Sequence, residues 1–477
     1  MITGYSSFFG LTHQVRPKKR LKKEPHNGIV KLPHKTIIKG EFLMTNILDR
    51  SLDFNSNISF CDDGTQLTND AGLLLMTDFL NSLDFDKMVQ HFFAQVEWRR
   101  RPQYSFYELL SQLLLQKIAG YQNDAMTEAL SEDVALKLCL GVDRLASQPM
   151  ISRFINHSDE KITTGFNQLN LALNRCLIAH NNQSDMVLDV DSTHCDTFGR
   201  QAGSAYNPHY AANGLHPLIA FDGLTGMLLG AQLRPGNVYT SHGVAEFLAP
   251  IIAFINQSNP RMNLLIRGDS GFATPELYQL CLAKKTQFLI KLKSNPKLVS
   301  LALDCVAELR PDDFCDHYFT LDYRANSWPE NWHLRVVLKA TKSVDDLFWH
   351  FEYLVTTLKE AEIIDLFRAY HKRGIAENFI KEAKEGFGFD KTNSHSFQAN
   401  NVRMWLAVLS YTLTLLFKRL VLPQSMQTKT VSTVRFRLLH MAGRITNHAR
   451  KTVVHLSHSN PFLRLFWFAL HRIHQLG

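Results

Sequence analysis

The stretch "AYHKRGIAENFIKEAKEGFG", residues 369–388, decides how the fold of the whole chain is interpreted. Its pattern predicts one strongly polar helix that carries Tyr370, Arg373, Glu377 and Lys384. At about 100° of turn per residue, these four side chains fall within about 60° of one another on the helix surface. A solvated face with charge pairs four residues apart is the ordinary explanation of such a helix. What the rest of the chain offers to a glutamate on this face decides between that explanation and a catalytic one.

Two apolar segments in the middle of the chain end in an aspartate, Asp191 in "MVLDVD" and Asp269 in "LLIRGD". Carboxylates at two strand ends can share a hard divalent ion such as Mg²⁺, which is held by one or two carboxylates together with substrate phosphate and water. Two such ions about 3.5 to 4 Å apart can activate a water or a 3′-hydroxyl while they stabilise the leaving oxygen of a phosphodiester. Glu377 would then be the third metal ligand, and the other three side chains of its face would hold and orient DNA phosphates.

The segment "LDVDST" leaves a choice of carboxylate, because residues two apart on a strand lie on the same face. Asp191 is favoured over Asp189, since it lies nearer the end of the strand and is followed by polar residues. The same "DVD" also fits the Asp-x-Asp pattern with which a metal-dependent glycosyltransferase holds a nucleotide-sugar diphosphate. That alternative leaves Asp269 and the spacing around Glu377 unexplained. Taken singly, either strand-end aspartate has the ordinary role of a turn or helix cap.

The bulk composition describes a folded protein with a bias toward polyanionic partners. The chain has 477 residues, 45% of them hydrophobic, a formal net charge of +8 and a pI near 9.0, which fits two or three domains and phosphate binding. Its seven cysteines include no CxxC pair, so neither a disulfide framework nor a zinc module is indicated, and a reducing cytoplasm fits best. The most apolar run, 405–417, is shorter than the roughly 18 to 20 residues that a bilayer needs. We therefore expect a buried helix there and no membrane.

Shifts of hydrophobic pattern divide the chain into six regions. The helical region near the N-terminus contains a capping box, Ser105 with Glu108, and Gly120 where its helix should end; a small DNA-reading domain and a plain helical bundle both fit it. The order β-β-β-α-β-α-β in the middle predicts a mixed sheet with covering helices. The predicted boundaries are 1–60 for a poorly ordered basic segment, 61–180 for the helical, DNA-end-binding domain, 181–300 and 363–425 for the two parts of the catalytic core, 301–362 for a β-rich insertion and 426–477 for a basic helical C-terminal region.

Together these motifs resemble the DDE transposases of bacterial insertion sequences. The resemblance is carried by the Tyr, Arg, Glu, Lys spacing quoted above and by "LDVDST" (188–193), "LRPGNVYTSHG" (233–243) and "RGDSGF" (267–272). More narrowly, the chain is similar to the insertion sequence thirteen-eighty family through "SQPMISRFIN" (147–156), "AENFIKEAKEGFGFDKTNSHSFQANNVRMWLAVLSYTL" (376–413) and "TVRFRLLHMAGRI" (433–445). The similarity covers nearly the whole chain.

The resemblance implies an α/β fold with an RNase H-like catalytic core, a mixed five-stranded sheet with helices. A β-rich insertion would interrupt this core between the second aspartate and the glutamate, in agreement with the order of patterns along the chain. The resemblance also implies two Mg²⁺ ions, for which Mn²⁺ substitutes. The acidic triad of catalytic metal ligands would be Asp191, Asp269 and Glu377.

The resemblance further implies a set of residues that contact DNA near the cut, namely Tyr370, Arg373 and Lys384. In related transposases with this signature, the insertion supports a hairpin on the transposon end, and an aromatic residue stacks on a flipped base. Trp328 or Trp332 would take that part here, although hydrophobic packing is the ordinary role of either residue.

The predicted function is binding of double-stranded DNA at the terminal inverted repeats of an insertion sequence, followed by metal-dependent cleavage and strand transfer. We expect a homodimer or higher multimer on DNA, in the bacterial cytoplasm and associated with the nucleoid. A decayed or domesticated relative that binds DNA without cutting is the alternative, and the complete triad argues against it. The cluster "RPKKRLKK" at 16–23 is expected to be a DNA-adhesive tail or untranslated leader ahead of Met44.

Overall fold

We describe the fold from a computed structural model of the chain. The structure describes residues 51–52, 55–59, 66–94, 96, 102–310, 314–448 and 451–476. Most of the segment 1–60, including the basic cluster at 16–23, lies outside the described residues. Within it, strands β1 (Ser51–Leu52) and β2 (Asn55–Ser59) pair antiparallel. Residues 64–477 form a separate compact unit.

This unit begins with a short strand and a run of helices. The predicted capping box is confirmed, because the Ser105 side chain accepts from the Glu108 N–H while the Glu108 carboxylate accepts from the Ser105 N–H. Gly120 ends the same helix in a left-handed conformation, φ 101°. The elements are β3 (Leu67–Thr68), α1 (Leu73–Ser82), α2 (Phe85–Phe93), α3 (Phe106–Ala119), α4 (Met126–Ala129), α5 (Val134–Leu140), α6 (Gln148–His157) and α7 (Glu160–Asn181).

The middle of the chain alternates strands and helices, as its hydrophobic pattern predicts. The strands are β4 (Asp185–Ser192), β5 (Cys195–Asp196), β6 (Ala205–Asn207), β7 (Ala212–Leu215), β8 (Leu218–Asp222), β9 (Leu228–Gln232), β10 (Asn263–Gly268), β11 (Gln287–Leu292), β12 (Asp316–Leu321), β13 (Arg335–Thr341) and β14 (His350–Thr356). The helices are α8 (Val244–Ser258), α9 (Pro275–Ala283), α10 (Pro296–Val306), α11 (Ile363–His371), α12 (Gly374–Phe387) and α13 (Phe397–Leu420).

The central sheet has eight strands in the order β12-β13-β14-β11-β10-β4-β8-β9. β4, β10 and β11 run parallel to one another, and the flanking strands run antiparallel. The prediction of a five-stranded sheet with a separate β insertion is therefore wrong in one respect. The three strands of the segment 301–362 continue the sheet, because β14 pairs with β11 through Leu289↔Thr356 to Leu292↔Tyr353.

Burial explains why these strands join the sheet. Val336, Val337 and Leu338 of β13 are consecutive and all buried, and successive side chains on a strand point to opposite faces. Both faces are therefore covered: Val337 belongs to a cluster with Phe367 of α11, and its two neighbours belong to the main core. A strand that is buried on both faces must lie inside a layered structure.

The predicted single helix 369–388 is two helices, α11 and α12, separated at Lys372–Arg373. Around this point the hydrogen bonds span three residues: the Arg373 N–H donates to the Tyr370 carbonyl and the Ala376 N–H to the Arg373 carbonyl, both at 2.9 Å. The uniform 100° spacing of a straight helix therefore does not apply across the junction. Side chains of α11 and α12 consequently reach different surroundings.

The C-terminal region is only partly helical, which corrects the prediction for 426–477. A π-helical turn, Arg435–Leu439, precedes an antiparallel hairpin whose first strand pairs with β3. The elements are α14 (Gln424–Gln427), α15 (Val431–Val434), β15 (Gly443–His448), β16 (Lys451–Leu456) and α16 (Leu463–His474). The β-branched residues of "RITNH" and "KTVVHL" favour strands, which outweighs the helical pattern before them.

The apolar run 405–417 lies inside α13 and is buried, as predicted. α13 packs against α7 and α3 and so joins the N-terminal helices to the sheet. Among the described residues, no helix is long and apolar enough to cross a membrane.

Candidate active site

Two of the predicted carboxylates lie at the same edge of the central sheet. β4 and β10 are adjacent and parallel, so their carboxyl ends reach the same edge. Asp191 lies near the end of β4, and its Oδ1 atom accepts a hydrogen bond from the Ser192 N–H at 2.8 Å. Asp269 follows β10 and caps a 3₁₀ turn, with its Oδ1 atom accepting from the Gly271 N–H at 2.8 Å. Each aspartate keeps its Oδ2 atom for another partner.

Arg373 is that partner for both aspartates. Its Nη2 atom lies 2.8 Å from Asp191 Oδ2 and 3.8 Å from Asp269 Oδ2. Burial raises the pKa of Asp191 to about 6; Arg373 opposes this shift, and the neighbouring charges of Asp269 and Glu377 add to it. Burial would lower the pKa of Arg373, but the two aspartates raise it above its ordinary value. The two carboxylates therefore share one positive charge at the sheet edge.

Asp191, Asp269 and Arg373 line a cleft of about 580 Å³. Glu377, an exposed residue in the first turn of α12, lines the same cleft. The cleft is also lined by the segment before β7, the turn between β7 and β8, and the loop after β9. These lining residues include Pro208, His209, Tyr210, His216, Tyr239 and Thr240. The structure thus brings the three predicted acidic residues to one cleft.

The donor set fits a divalent cation in its chemistry. Asp191 and Asp269 supply carboxylate oxygens, the ligands that Mg²⁺ and Mn²⁺ prefer, and both reach the same cationic nitrogen of Arg373. Among the described residues, however, no group of three or more His, Cys, Asp or Glu side chains is close enough to hold one metal ion. Glu377 therefore lines the cleft, but in this structure it does not form a three-residue metal site with the two aspartates.

The sequence match decides the family. Residues 50–477 match the family described as Transposase DDE domain group 1. The chain belongs to this family of DDE transposases. No curated protein matches it.

Solved structures similar to this transposase are themselves transposases. A piggyBac transposase synaptic complex with hairpin DNA is 13% identical, with a TM-score of 0.41 over 78% of this chain and 80% of that chain. A Drosophila P element transposase strand transfer complex is 11% identical, with a TM-score of 0.22 over 47% and 50%. A Mos1 mariner paired-end complex with Mn is 11% identical, with a TM-score of 0.17 over 46% and 76%. These TM-scores are too low to carry an argument about the fold, so family membership rests on the sequence match.

Asp189, the other carboxylate of "DVD", has a different role in the transposase. Its two oxygens accept from Arg267 Nε at 2.5 Å and Arg267 Nη2 at 2.7 Å, and both side chains are buried. Arg267 Nη1 also donates to the Ala369 carbonyl of α11. A Cβ atom at Gly223 would lie 2.3 Å from Asp189 Oδ2, so only glycine fits beside the pair. Because Asp189 is engaged with Arg267, the Asp-x-Asp pattern of a glycosyltransferase site is not available.

The motif "LRPGNVYTSHG" forms a loop that is held by one buried arginine. Arg234 Nε donates to the His216 carbonyl at 2.9 Å, and Nη1 donates to the carbonyls of Tyr239, Thr240 and His242 at 3.3, 3.1 and 2.8 Å. Burial lowers the pKa of Arg234 to about 10. This fan of bonds fixes the part of the loop that lines the cleft beside Asp269.

Tyr370 and Lys384 lie away from the cleft lining. The Tyr370 ring is 8% exposed and packs in the cluster between α11 and the sheet, where burial raises its pKa to about 12. Lys384 Nζ donates to the His194 carbonyl at 2.8 Å and so ties α12 to the segment that follows Asp191. Their predicted contact with DNA stays a prediction. In this structure Tyr370 packs in an apolar cluster and Lys384 bonds a backbone carbonyl.

The two tryptophans pack against Tyr278 of α9. Trp328 is 7% exposed and lies edge-on to Tyr278 and Tyr323, with ring centroids 5.8 and 5.7 Å apart. Trp332 lies 6.3 Å from Tyr278 and is partly buried. The packing that the sequence analysis gives as their ordinary role is what the structure shows, and Trp328 has little surface left for a DNA base.

Sequence reasoning missed the two arginines that organise this site. Arg267 appears in "RGDSGF" and bonds partners 78 and 102 positions away. Arg234 appears in "LRPGNVYTSHG" and bonds backbone carbonyls 5 to 18 positions away. A signal was present, because each arginine interrupts an otherwise apolar strand or strand end, and a buried arginine needs several acceptors.

Proposed function

We propose that this transposase binds the terminal inverted repeats of an insertion sequence, cleaves the DNA at the ends of the element and transfers the freed strands to target DNA. The observation that carries the proposal is the convergence of Asp191 and Asp269 on a single positive charge, in a cleft that Glu377 also lines. The proposal includes membership of the bacterial insertion sequence thirteen-eighty family and the Tyr370, Arg373, Glu377, Lys384 signature.

An RNase H-like core is part of this proposal. The strands β9-β8-β4-β10-β11 form a contiguous mixed subset of the sheet, and Asp191 and Asp269 follow its two central parallel strands. β14, β13 and β12 then extend this subset on the β11 side before the chain enters α11 and α12. The first strand of the insertion, β12, packs against α11, the helix that precedes the helix of Glu377.

In the proposed reaction, divalent Mg²⁺ or Mn²⁺ ions held by Asp191, Asp269 and Glu377 would activate the attacking water or 3′-hydroxyl and stabilise the leaving oxygen. Arg373 offsets part of the negative charge of the two aspartates before DNA arrives and lies where a scissile phosphate would need a cationic neighbour. Arg267 holds the Ala369 carbonyl and so fixes the start of the chain segment that leads to Arg373 and Glu377.

The proposed partners are double-stranded DNA, as terminal repeats and as target, and a second copy of this chain on the paired ends. Because excision and insertion both occur on chromosomal DNA, the proposed location is the bacterial nucleoid. A hairpin step on the element's end would need the freed 3′-hydroxyl to attack the opposite strand within the same cleft.

The test is cleavage of a labelled duplex that carries the element's own terminal repeat, with Mg²⁺ and separately with Mn²⁺. The variants are Asp191→Asn, Asp269→Asn and Glu377→Gln. The matched control is Glu385→Gln on the same helix, an exposed carboxylate that pairs only with Lys381 at 3.9 Å among the described residues. We expect a cut at the repeat boundary in the intact protein and the control, loss of the cut in the three variants, and binding to the repeat in all five proteins.

Two outcomes would contradict the proposal. Cleavage that persists in any of the three variants would remove that residue from the triad. Binding of the repeat without cleavage by the intact protein, with both metals tried, would favour the decayed DNA-binding alternative.

A further inference from the structure

The last part of the chain has an unusual charge composition. Residues 391–477 contain 12 of the 52 lysines and arginines and none of the 44 aspartates and glutamates. The segment before it therefore holds every acidic residue, including those of the candidate active site. A stretch of this length without a single carboxylate can present positive charge that nothing within the stretch neutralises.

The hairpin β15–β16 displays part of this charge on one face. In an antiparallel pair, residues opposite each other lie on the same face of the ribbon. One face carries Ile445 (3% exposed) and Val454, opposite each other, and it packs toward the core. The other face, which we call the basic ribbon, carries the pairs Arg444↔His455, Thr446↔Val453 and His448↔Lys451.

The basic ribbon is open to solvent. Arg444, His448, Lys451, Val453 and His455 are all exposed. Within the described residues, no ion pair engages Arg444 or Lys451. The one side-chain bond on this face joins Thr446 Oγ1 to His455 Nε2 at 2.8 Å, which holds the ring of His455 in place across the ribbon.

Protection of a sheet edge is the ordinary explanation for charge on such strands, because lysines on an edge strand discourage pairing with another chain. That explanation fits Lys451, since β16 is the outer strand of the sheet β16-β15-β3. It does not fit Arg444, which lies on the middle strand and pairs with both Leu67 and His455. Protection of the edge therefore does not account for the charge on the face of the ribbon.

We infer that the basic ribbon is a binding surface for duplex DNA. This inference rests on the proposed function for its choice of DNA as the partner. The major groove is about 12 Å wide and admits a two-stranded β-ribbon, and each strand of six residues spans about 20 Å. Arg444 and Lys451 then contact phosphates on the groove walls, while Thr446 and His455 face the base edges. The surface adjoins the region 61–180, where the sequence predicts end binding, because β15 pairs with β3.

The test measures affinity for the terminal-repeat duplex by fluorescence anisotropy, without divalent metal, from about 50 to about 200 mM salt. The variant is Arg444→Gln with Lys451→Gln. Since each phosphate contact contributes about 0.9 to the slope of log affinity against log salt, we expect the slope to become shallower by about 1.8 and the affinity at the lowest salt to fall about 10- to 100-fold.

Two further variants keep the test decisive. Arg444→Lys with Lys451→Arg retains both charges, and we expect it to keep the slope of the intact protein. Lys284→Gln with Lys359→Gln removes the same charge from two exposed lysines outside the C-terminal segment and should change the slope little. Equal salt slopes for the ribbon variant and this control would overturn the inference. A ribbon variant that aggregates but binds DNA with unchanged affinity would also overturn it, because that result assigns the two charges to protection of the sheet edge.

The measurement also separates this inference from the proposed function. Binding is recorded without cleavage, so a triad that fails to cut leaves the ribbon result interpretable. Conversely, a ribbon variant that binds like the intact protein leaves the cleavage experiment as it stands.

Discussion

The guanidinium of Arg373 lies 2.8 Å from Asp191 Oδ2, yet burial still raises the pKa of Asp191 to about 6. The pKa of Asp191 is higher in the folded protein than its ordinary value of 3.8, so the protonated side chain contributes to stability. This contribution is complete below pH 3.8 and is lost as pH rises through about 6. At neutral pH the charge on Asp191 therefore opposes folding. This cost is typical of a site whose carboxylates are arranged for a cation.

We therefore expect Asp191→Asn to stabilise the metal-free protein at pH about 7.5, by about 1 to 3 kcal/mol in the free energy of unfolding. The gain should shrink as pH falls through about 6 and vanish only below the ordinary pKa of 3.8, where Asp191 is protonated in both states. Urea unfolding at several pH values measures it. Asp196→Asn is the control, because its exposed carboxylate pairs with only His194 among the described residues. A destabilised Asp191→Asn at neutral pH would contradict the prediction.

Burial raises the pKa of Asp189 as well, but Asp189 differs from Asp191 because both of its oxygens are bonded to the buried Arg267. Asp189→Asn leaves a buried guanidinium without its counter-ion, which costs about 3 to 5 kcal/mol. Asp185→Asn, at the exposed start of the same strand, should cost far less. Thermal unfolding distinguishes the two. Together, the two unfolding experiments test whether Asp189 stabilises the fold while the charge of Asp191 opposes folding, as expected of a catalytic carboxylate.

The double variant Asp189→Leu with Arg267→Met extends this argument. Replacing both buried charges with apolar groups should restore most of the lost stability, but the Ala369 carbonyl loses its donor. We expect a stable protein in which the cleavage rate is reduced about 10-fold or more, because α11 no longer fixes the approach of Arg373 and Glu377. Full cleavage by a stable double variant would limit Arg267 to a role in folding.

Local patterns were sufficient to predict several elements of the fold. Asp191 and Asp269 end apolar runs, and a strand end is visible in the neighbouring residues alone. The capping box of Ser105 with Glu108 spans only three residues, and it too was predicted correctly. The same local patterns could not show that β14 pairs with β11, because this choice depends on which edge of the sheet is open.

The missed features of the site depend on contacts between distant residues. Arg267 bonds Asp189 across 78 positions and Ala369 across 102, and no spacing in the sequence records either contact. The prediction that Tyr370 and Glu377 share one helix face is wrong because the helix is interrupted at Lys372–Arg373. The hydrogen bonds that span three residues there cannot be recognised from the amino-acid composition of the segment. The hairpin β15–β16 did leave a mark, its β-branched residues, which the basic charge of the segment obscured.

Arg234 provides a fourth prediction, about geometry at the cleft. Lysine keeps the charge but has a single nitrogen, so Arg234→Lys cannot reproduce the fan of bonds to the loop carbonyls. We expect a fall of about 10- to 100-fold in kcat for cleavage, since small displacements near the reacting groups have effects of this size, and less than about a twofold change in DNA affinity. Arg261→Lys, at an exposed turn, is the control. Equal effects on affinity and kcat would show that the loop binds DNA and does not shape the cleft.

Lys384 allows the last prediction, because the resemblance assigns it to DNA and the structure gives it a backbone partner. Its Nζ atom donates to the His194 carbonyl at 2.8 Å, so Lys384→Met should lower the free energy of unfolding by about 1 to 3 kcal/mol. Lys381→Met on the same helix, 69% exposed, should lower it little. The salt dependence of repeat binding decides the remaining question. If the bond to His194 persists on DNA, the slope for Lys384→Met equals that of the intact protein; if Lys384 turns to a phosphate, the slope becomes shallower by about 0.9. In the second case the lysine must exchange partners when DNA binds, and α12 is released from the segment after Asp191 at the moment when Glu377 has to approach the two aspartates.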